Sequence, residues 1–205
     1  MYILPNERSV EMKGDLMSAD GTKELIISTA LDMFSKKGYS AVSTRDISGA
    51  VGIRTSSIYY YFKSKQDIFD ALIQMADAMT TELKGVFFNA LGSTTEVRCE
   101  DFVMAGRLFV TGYLQNEKIG PLLQTLESER FHDENANEIW TKMLFTAPLE
   151  HETMVFKTLY ERGIIKEKDA AKLASEYQAI VMLGYFTNDI ERLEASLTDF
   201  YKKVF

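Results

Sequence analysis

The chain has 205 residues, of which 46% are hydrophobic and 26% are charged, and its formal net charge at pH 7 is −7. This composition excludes a disordered or low-complexity chain and suits one or two compact domains with a hydrophobic core. The single cysteine, Cys99, excludes an intrachain disulfide. No apolar stretch approaches the ~20 residues that span a bilayer, and the first residues lack the apolar core of a signal peptide. We therefore expect a cytoplasmic protein.

The charges are unevenly distributed along the chain. Residues 22–66 hold seven basic and three acidic residues, whereas residues 67–205 hold 14 basic and 23 acidic residues. A small basic module joined to an acidic body is typical of a nucleic-acid binder with a separate second function. We therefore predict an N-terminal extension over 1–21, a basic domain over 22–66 and a larger acidic domain over 67–205.

Helical periodicity begins at Thr22. Apolar residues from Leu25 to Phe34 recur three and four positions apart, which predicts a helix along this stretch. The helix is expected to end at Lys36-Lys37-Gly38. Lysines in the last turn stabilise the C-terminal end of a helix, and glycine adopts the left-handed cap conformation.

Two short helices are predicted next. Ser43 and Asp46 have the spacing of a capping box, so a second helix begins after Ser43, and Gly52 closes it. The hydroxyl-rich run 55–57 starts a third helix, and Ser64 marks the start of a longer fourth one. Two short helices joined by a glycine-containing turn form a helix-turn-helix unit. Other small helical hairpins share this spacing, so the identities of the residues must decide.

The residues between Ile26 and Leu72 resemble the DNA-binding domain of the tetracycline-repressor (TetR) family. The resemblance is carried, without a gap, by Ala30, Phe34 and Lys37-Gly38-Tyr39, by Thr44-Arg45-Asp46-Ile47, by Ala50-Val51-Gly52-Ile53, and by Ile58-Tyr59-Tyr60-Tyr61-Phe62-Lys63-Ser64-Lys65. It implies an all-α fold, in which a three-helix DNA-binding domain with a helix-turn-helix precedes a C-terminal helical ligand-binding and dimerisation domain. It also implies a transcriptional regulator rather than an enzyme.

A recognition helix must fit a major groove about 12 Å wide and present hydrogen-bond donors to bases and phosphates. The candidate DNA-contacting side chains are hydroxyls, phenols and cations: Thr44, Arg45, Arg54, Thr55, Ser56, Ser57, Tyr59, Tyr60, Tyr61, Lys63 and Lys65. The resemblance implies that Thr44, Tyr59, Tyr60 and Lys65 touch the DNA backbone. It also implies that Arg45, Thr55, Ser57 and Tyr61 lie nearer the bases.

Several of these candidates have a second interpretation. At least one of three consecutive tyrosines must point partly inward, and we expect Tyr59 to pack its ring and keep its hydroxyl outward. Lys63 is equally well explained as a solvated charge. Arg54 stands where many family members have a capping serine. We therefore expect Thr55 or Ser56 to cap the third helix, which would shift its start and let Arg54 reach DNA.

Two further features concern the surface that would face DNA. Gly49 inside the second helix costs up to ~1 kcal/mol relative to alanine, so its presence predicts close packing at that point. The candidate surface also carries few cations, which favours recognition by van der Waals contacts and DNA shape.

The C-terminal region is predicted to be helical throughout, with helices over 96–116, 122–131, 135–162, 168–188 and 190–204, and with Pro148 kinking or splitting the third of them. The resemblance implies that the last two helices pair with those of a second subunit. Small residues on the 168–188 helix and the stripe Ile190, Leu193, Leu197, Tyr201, Val204 fit that arrangement, although they also fit an intramolecular core. We favour a homodimer, because one subunit would contact only a half-site.

The effector site is the least defined feature of the sequence. Candidate lining residues are Phe102, Arg107, Trp140, Met143, Leu144, Tyr177 and Met182, each of which is also explained as core or surface. Arg107 would meet an anionic ligand or pair with an acidic neighbour. His132 and His151 lack a metal-ligand pattern, and no catalytic constellation is visible, so neither a metal, a cofactor nor an enzyme activity is expected.

The favoured function is a homodimeric repressor of a palindromic DNA operator that a small-molecule effector releases. The alternative keeps the same DNA-binding domain but lets the C-terminal domain respond to a protein partner.

Overall fold

The computed structural model describes the backbone of residues 19–93 and 95–205, and the side chains of these residues except 86–93. The predicted extension over 1–21 therefore lies almost wholly outside the described residues. The described part of the chain is all-α, without a strand, as predicted. Its α-helices are α1 Ala19–Lys37, α2 Thr44–Val51, α3 Thr55–Tyr61, α4 Lys65–Ser93, α5 Cys99–Leu108, α6 Ile119–Glu129, α7 Glu134–Thr141, α8 Ala147–Glu161, α9 Ala170–Thr187 and α10 Ile190–Val204.

The chain divides into two compact units. The first ends at Asp77, and the second runs from Ala78 to Phe205. The division falls within α4, whereas the sequence-based division after residue 66 falls near the start of that helix.

The first unit is held by apolar residues from its four helices. Ile26 and Phe34 of α1, Ile47 of α2, Ile58 of α3 and Leu72 of α4 are all fully buried. Burying an aliphatic or aromatic side chain of this size contributes roughly 1.5–3 kcal/mol. These five positions fix how the two short helices α2 and α3 lie on the longer ones.

Predicted helix ends in the first unit are confirmed. Gly38, after the two lysines of α1, has a φ of 84°, and Gly52, after α2, has a φ of 79°. Left-handed backbone of this kind is strained for residues with a Cβ but is open to glycine. The long fourth helix begins at Lys65, and Ser64 Oγ accepts a hydrogen bond of 3.1 Å from the backbone N–H of Asp67.

Two helices of the second unit differ from the predicted ranges. The predicted 96–116 helix begins at Cys99 and changes at Phe109 to a π-helical segment that ends at Leu114. The predicted 135–162 helix is divided into α7, a π-helical segment over Lys142–Thr146, and α8. Pro148 lies in the first turn of α8, where the missing N–H costs least, so the expected split at this proline is confirmed.

The apolar stripe of the last helix packs inside its own subunit. Leu193 and Leu197 are 1% and 0% exposed, whereas Ile190, Tyr201 and Val204 are half-buried. The expectation that this stripe faces a second subunit is therefore wrong for its central residues. The side chains that α10 exposes are mainly polar, and Glu191, Asp199 and Lys202 are among them.

Small residues bring α10 close to its neighbours. A Cβ on Gly184 of α9 would lie 2.9 Å from Leu193, and a Cβ on Gly106 of α5 would lie 2.5 Å from Leu197. Glycine at both positions thus permits the close packing of α5, α9 and α10. Within the described residues, none of the helices is both long enough and apolar enough to cross a membrane.

Candidate DNA-binding surface

The capping box of α2 forms as the sequence indicates. The backbone N–H of Asp46 donates to Ser43 Oγ at 3.2 Å, and the backbone N–H of Ser43 donates to Asp46 Oδ2 at 2.9 Å. The Ser43 side chain, followed by its backbone, holds the pKa of Asp46 below its ordinary value. Asp46 thus stays charged at the positive end of α2, while the next residue toward the N-terminus, Arg45, is exposed to solvent.

The turn between α2 and α3 is fixed by backbone and side-chain bonds. The N–H groups of Gly52 and Ile53 each donate to the carbonyl of Ser48 at 3.0 Å. The Ser48 side chain is buried, donates to the carbonyl of Arg45 at 2.9 Å, and lies 2.9 Å from Thr55 Oγ1. A hydroxyl pair therefore joins the two helices of the motif at the point where they separate.

This hydroxyl pair corrects the expected capping of the recognition helix. Arg54 is itself the N-cap residue of α3, and its side chain makes no capping hydrogen bond. Neither Thr55 nor Ser56 replaces it, because both lie in the helix and Thr55 Oγ1 points to Ser48 instead. The expected shift of the helix start is therefore wrong, whereas Arg54 is exposed as expected.

The three tyrosines of α3 face different environments. Tyr60 is 80% exposed and Tyr59 is 54% exposed, whereas Tyr61 is half-buried. Tyr61 follows the buried Ile58 by three residues and so lies on the same side of the helix. Tyr61 rather than Tyr59 is the partly inward tyrosine, and the prediction chose the wrong one. The ring of Tyr61 also meets the ring of Tyr60 edge to face, with the centroids 5.0 Å apart.

Lys65 makes contacts that the sequence did not reveal. Its ammonium donates to the carbonyls of Tyr39 and Val42 at 2.7 and 2.8 Å, and it lies 4.1 Å from the centroid of the Tyr39 ring. The Tyr39 hydroxyl in turn donates to Gln66 Oε1 at 2.9 Å. Lys65 thereby ties the start of α4 to the segment between α1 and α2, which is a structural role in addition to the predicted contact with DNA.

The remaining cationic candidates are solvent-exposed. Arg45, Arg54 and Lys63 all expose their side chains, and the backbone N–H of Lys63 donates to Asp67 Oδ2 at 2.9 Å. Gly49 is also exposed, and a Cβ placed on it would meet no atom within 4 Å. The predicted close packing at Gly49 is therefore wrong within the subunit.

The geometry of this unit is that of a helix-turn-helix whose outward helix, α3, presents Arg54, Ser56, Tyr59 and Tyr60 to solvent. Residues 26–72 match the family model for bacterial regulatory proteins of the tetR family. This segment is thus a TetR-family domain. Residues 26–72 form the DNA-binding domain of that family, and the predicted resemblance and fold class are confirmed.

Curated relatives match this chain over short segments. The HTH-type transcriptional regulator AcrR of Shigella flexneri is 33% identical over 66 residues, which are 32% of this chain and 31% of that protein. The negative transcriptional regulator IcaR of the icaADBC biofilm operon of Staphylococcus aureus is 38% identical over 52 residues, which are 25% of this chain and 28% of that protein. The matched segment thus spans less than a third of each relative.

Solved structures of proteins described as transcriptional regulators, one of them as TetR-family, match along most of the chain. A protein from Mesorhizobium loti has a TM-score of 0.70 at 18% identity and covers 91% of this chain and 98% of its own. A protein from Saccharomonospora viridis in complex with choline has a TM-score of 0.59 at 19% identity and covers 89% of this chain and 96% of its own. At this level of identity the likeness shows that the TetR fold extends through the second unit.

The structure separates the predicted effector-site residues. Phe102 and Tyr177 meet, with their ring centroids 5.5 Å apart. Arg107 is exposed and pairs with Glu194 at 3.1 Å, so the acidic-neighbour alternative is the one observed. Trp140 lies under the guanidinium of Arg130, 3.8 Å from the ring centroid to Cζ. Of the remaining candidates, Leu144 and Met182 are buried and Met143 is half-buried.

Three buried polar residues of the second unit, Thr125, Glu152 and Gln178, were missed by sequence reasoning. Glu152 of α8 and Gln178 of α9 are 8% and 3% exposed. A polar residue at an inward position of an amphipathic helix is the signal that could have revealed them. Among the described residues, no cluster of three or more histidine, cysteine, aspartate or glutamate side chains is arranged to hold a metal ion.

Proposed function

We propose that this TetR-family protein is a homodimeric transcriptional repressor that binds a palindromic DNA operator and is released from it by a small-molecule effector. The observation that carries the proposal is the exposed face of α3, which is held in place by hydrogen bonds within the chain. Ser43 caps α2, Gly52 closes it, and the pair of Ser48 and Thr55 joins α2 to α3. A preformed recognition helix loses little conformational entropy on binding DNA.

The contacts with DNA follow from which candidates are exposed. Tyr60 and Lys63 project into solvent and suit contacts with phosphates, whereas Arg45, Arg54 and Ser56 suit base edges in the major groove. Thr55 serves instead as a positioning residue, since its hydroxyl is engaged by Ser48. The exposed Gly49 leaves room beside Arg45 for close approach of the DNA backbone. Contact with DNA would explain a glycine at this position, whereas packing within the subunit does not.

The dimer requires an apolar face that the subunit does not cover. On the C-terminal half of α9, Ala179, Leu183 and Phe186 follow one another at helical spacing, and Leu183 and Phe186 are 49% and 53% exposed. We assign this face to a second copy of the chain, because a recognition helix reads one half-site and a palindrome needs two. Light scattering should give a dimer for the wild-type protein and a monomer for Leu183→Glu. Ala195→Glu, on the exposed side of α10, is the matched control and should stay dimeric.

The effector part of the proposal draws on the Saccharomonospora viridis protein in complex with choline, which is a fold neighbour along 89% of this chain. A neighbour of this fold therefore accommodates a small molecule. Release follows if the effector favours a conformation of the dimer in which the two α3 helices no longer fit successive major grooves, with a coupling free energy of ~1–3 kcal/mol.

Selection of bound sequences from random double-stranded DNA by the full-length protein tests the DNA-binding part. The expected result is an inverted repeat bound by a dimer, with an affinity that falls steeply as salt rises. Recovery of no enriched sequence, or of a non-symmetric site bound by a monomer, would overturn the proposal.

A further inference from the structure

Glu152 places a carboxyl group in the core of the second unit. The residue is 8% exposed, and its Oε2 is buried without a hydrogen-bond partner among the described residues. Burial raises the pKa of Glu152 to about 9, so the carboxyl is protonated and neutral at pH 7. An apolar residue would fill this position at lower free-energy cost, since burying a polar group without a partner is unfavourable. The carboxyl therefore calls for a role other than packing.

Aromatic rings lie on the same side of α8 as Glu152. Phe156 follows Glu152 by one helical turn, and its ring centroid lies 6.1 Å from that of Tyr177 and 5.9 Å from that of Phe200. Tyr177 also meets Phe102 at 5.5 Å. Burial, and secondarily the charge of Glu152, raise the pKa of Tyr177, so the carboxyl lies within electrostatic reach of this ring cluster.

A second unpaired oxygen lies on the facing helix. Gln178, the residue after Tyr177 in α9, donates from Nε2 to the carbonyl of Leu144 at 2.6 Å, within the π-helical segment before α8. Its Oε1 is buried and has no partner among the described residues. Glu152 and Gln178 thus each bury an oxygen without a partner among the described residues, and each is within one helical turn of a residue of the aromatic cluster. That combination suits a positively charged group.

A surface groove lies between α8 and α9, next to the helical turns that carry these residues. It has a volume of about 550 Å³ and is lined by Leu149, Glu150, Thr153, Met154, Ala171 and Ser175. Leu149 and Thr153 lie beside Glu152 on α8, and Ser175 precedes Gln178 by one helical turn on α9. The groove is open to solvent, so it offers an approach to α8 rather than an enclosed pocket. On α9 the groove involves Ala171 and Ser175, in the N-terminal half of the helix.

We infer that this region binds an organic cation, a quaternary ammonium or protonated amine, which enters by the groove and takes Glu152 as its counter-charge and the Phe156 and Tyr177 rings as its aromatic contacts. The inference rests on the proposed function, because it names the chemical class of the effector. Binding converts neutral Glu152 to its carboxylate, and the proton that it loses goes to the solvent. The unpaired Oε1 of Gln178 adds a dipole of the same sign.

Isothermal titration calorimetry on the full-length protein at pH 7 tests the inference. The probes are choline, benzyltrimethylammonium, and 3,3-dimethylbutan-1-ol, which is the uncharged carbon isostere of choline. Titration in phosphate and in Tris, whose ionisation enthalpies differ, counts the protons released. We expect at least one of the two cations to bind, the isostere to bind at least about tenfold more weakly, and about one proton to be released per cation bound.

Matched variants distinguish the loss of the buried Glu152 carboxyl from the loss of an exposed carboxyl. Glu152→Gln keeps the shape of the side chain and should weaken cation binding by about tenfold or more and abolish proton release. Glu138→Gln, at an exposed position on α7, should retain both. If Glu152→Gln proves poorly folded, Glu152→Leu serves in its place, with the same expected loss. Failure of both cations to bind, equal binding of the isostere, or unchanged binding by the Glu152 variants would overturn the inference.

Operator binding by the same preparations keeps the two proposals distinguishable. The wild type and Glu152→Gln should bind the selected operator with equal affinity in the absence of a cation. Cation binding that fails while operator binding persists removes only the inference about the effector. Operator binding that fails while cations bind with proton release removes only the proposed repressor.

Discussion

The two units of the chain differ in whether particular buried polar side chains have hydrogen-bond partners. In the first unit, inward polar groups are paired: the Ser48 hydroxyl meets Thr55, and the Lys65 ammonium meets two carbonyls. In the second unit, Glu152 and Gln178 keep buried oxygens without partners among the described residues. A paired polar group fixes one conformation, whereas an unpaired one leaves free energy that a ligand can recover. The first unit is therefore suited to present a rigid surface, and the second to respond to a ligand.

Among the paired polar groups of the first unit, replacement of Lys65 should have the largest effect on stability. Lys65→Met removes two charge-assisted hydrogen bonds to carbonyls and should lower the free energy of unfolding by about 2–3 kcal/mol. Chemical denaturation monitored by circular dichroism measures the change. Lys63→Met, at an exposed position two residues away, should change stability by less than about 0.5 kcal/mol. Equal stability of the two variants would show that Lys65 does not tie α4 to the Tyr39–Val42 segment.

The buried, unpaired carboxyl of Glu152 predicts that the stability of the protein depends on pH. The pKa of Glu152 rises from 4.5 in the unfolded chain to about 9 in the folded protein. The stability that this difference contributes is therefore fully present below pH 4.5 and is lost as the pH rises toward 9. Glu152→Leu should remove this loss and stabilise the protein at pH 7 by about 1–3 kcal/mol.

Thermal melts of the wild type and Glu152→Leu from pH 5 to pH 8.5 check this expectation. The two stability curves should diverge as the pH rises. Parallel curves would mean that the carboxyl has an ordinary pKa, and the contrast between the two units would lose its main support.

The smallest effects come from two glycines of α2 and its turn. Gly52→Ala should destabilise the protein by about 1–2 kcal/mol, because a residue with a Cβ is strained at a φ of 79°. Gly49→Ala should stabilise it by up to about 1 kcal/mol, because the position is helical and open to solvent. Denaturant titrations measure both changes. If Gly49 makes room for DNA, its alanine variant should bind the operator more weakly despite its greater stability.

These features differ in how far the sequence reveals them. The ends of α1 and α2 and the split at Pro148 depend on residues within one or two turns, so local rules predicted them. The contacts of Lys65 join residues 26 and 23 positions apart, and the Ser48–Thr55 pair depends on the angle between two helices. Such contacts follow from tertiary packing, which periodicity does not specify.

The same limit explains the errors in the candidate sites. The choice of Tyr59 over Tyr61 required the rotation of α3 about its axis, which the buried Ile58 sets only in the folded unit. The stripe of α10 was assigned to a partner because an apolar stripe fits a core and an interface equally well. Of the effector candidates, Phe102 and Tyr177 do meet. The carboxyl near their ring cluster is one of several acidic residues of α8, and local sequence does not show which of them is buried.

The affinity of Tyr60→Ala for the selected operator tests the central claim most directly, since Tyr60 is 80% exposed on α3 and its replacement leaves the core intact. Fluorescence anisotropy should show a loss of about 10- to 100-fold relative to the wild type. Tyr160→Ala, which removes a 42% exposed tyrosine from the second unit, is the matched control and should bind as the wild type does. Equal affinity of Tyr60→Ala and Tyr160→Ala would contradict the assignment of α3 as the helix that reads DNA.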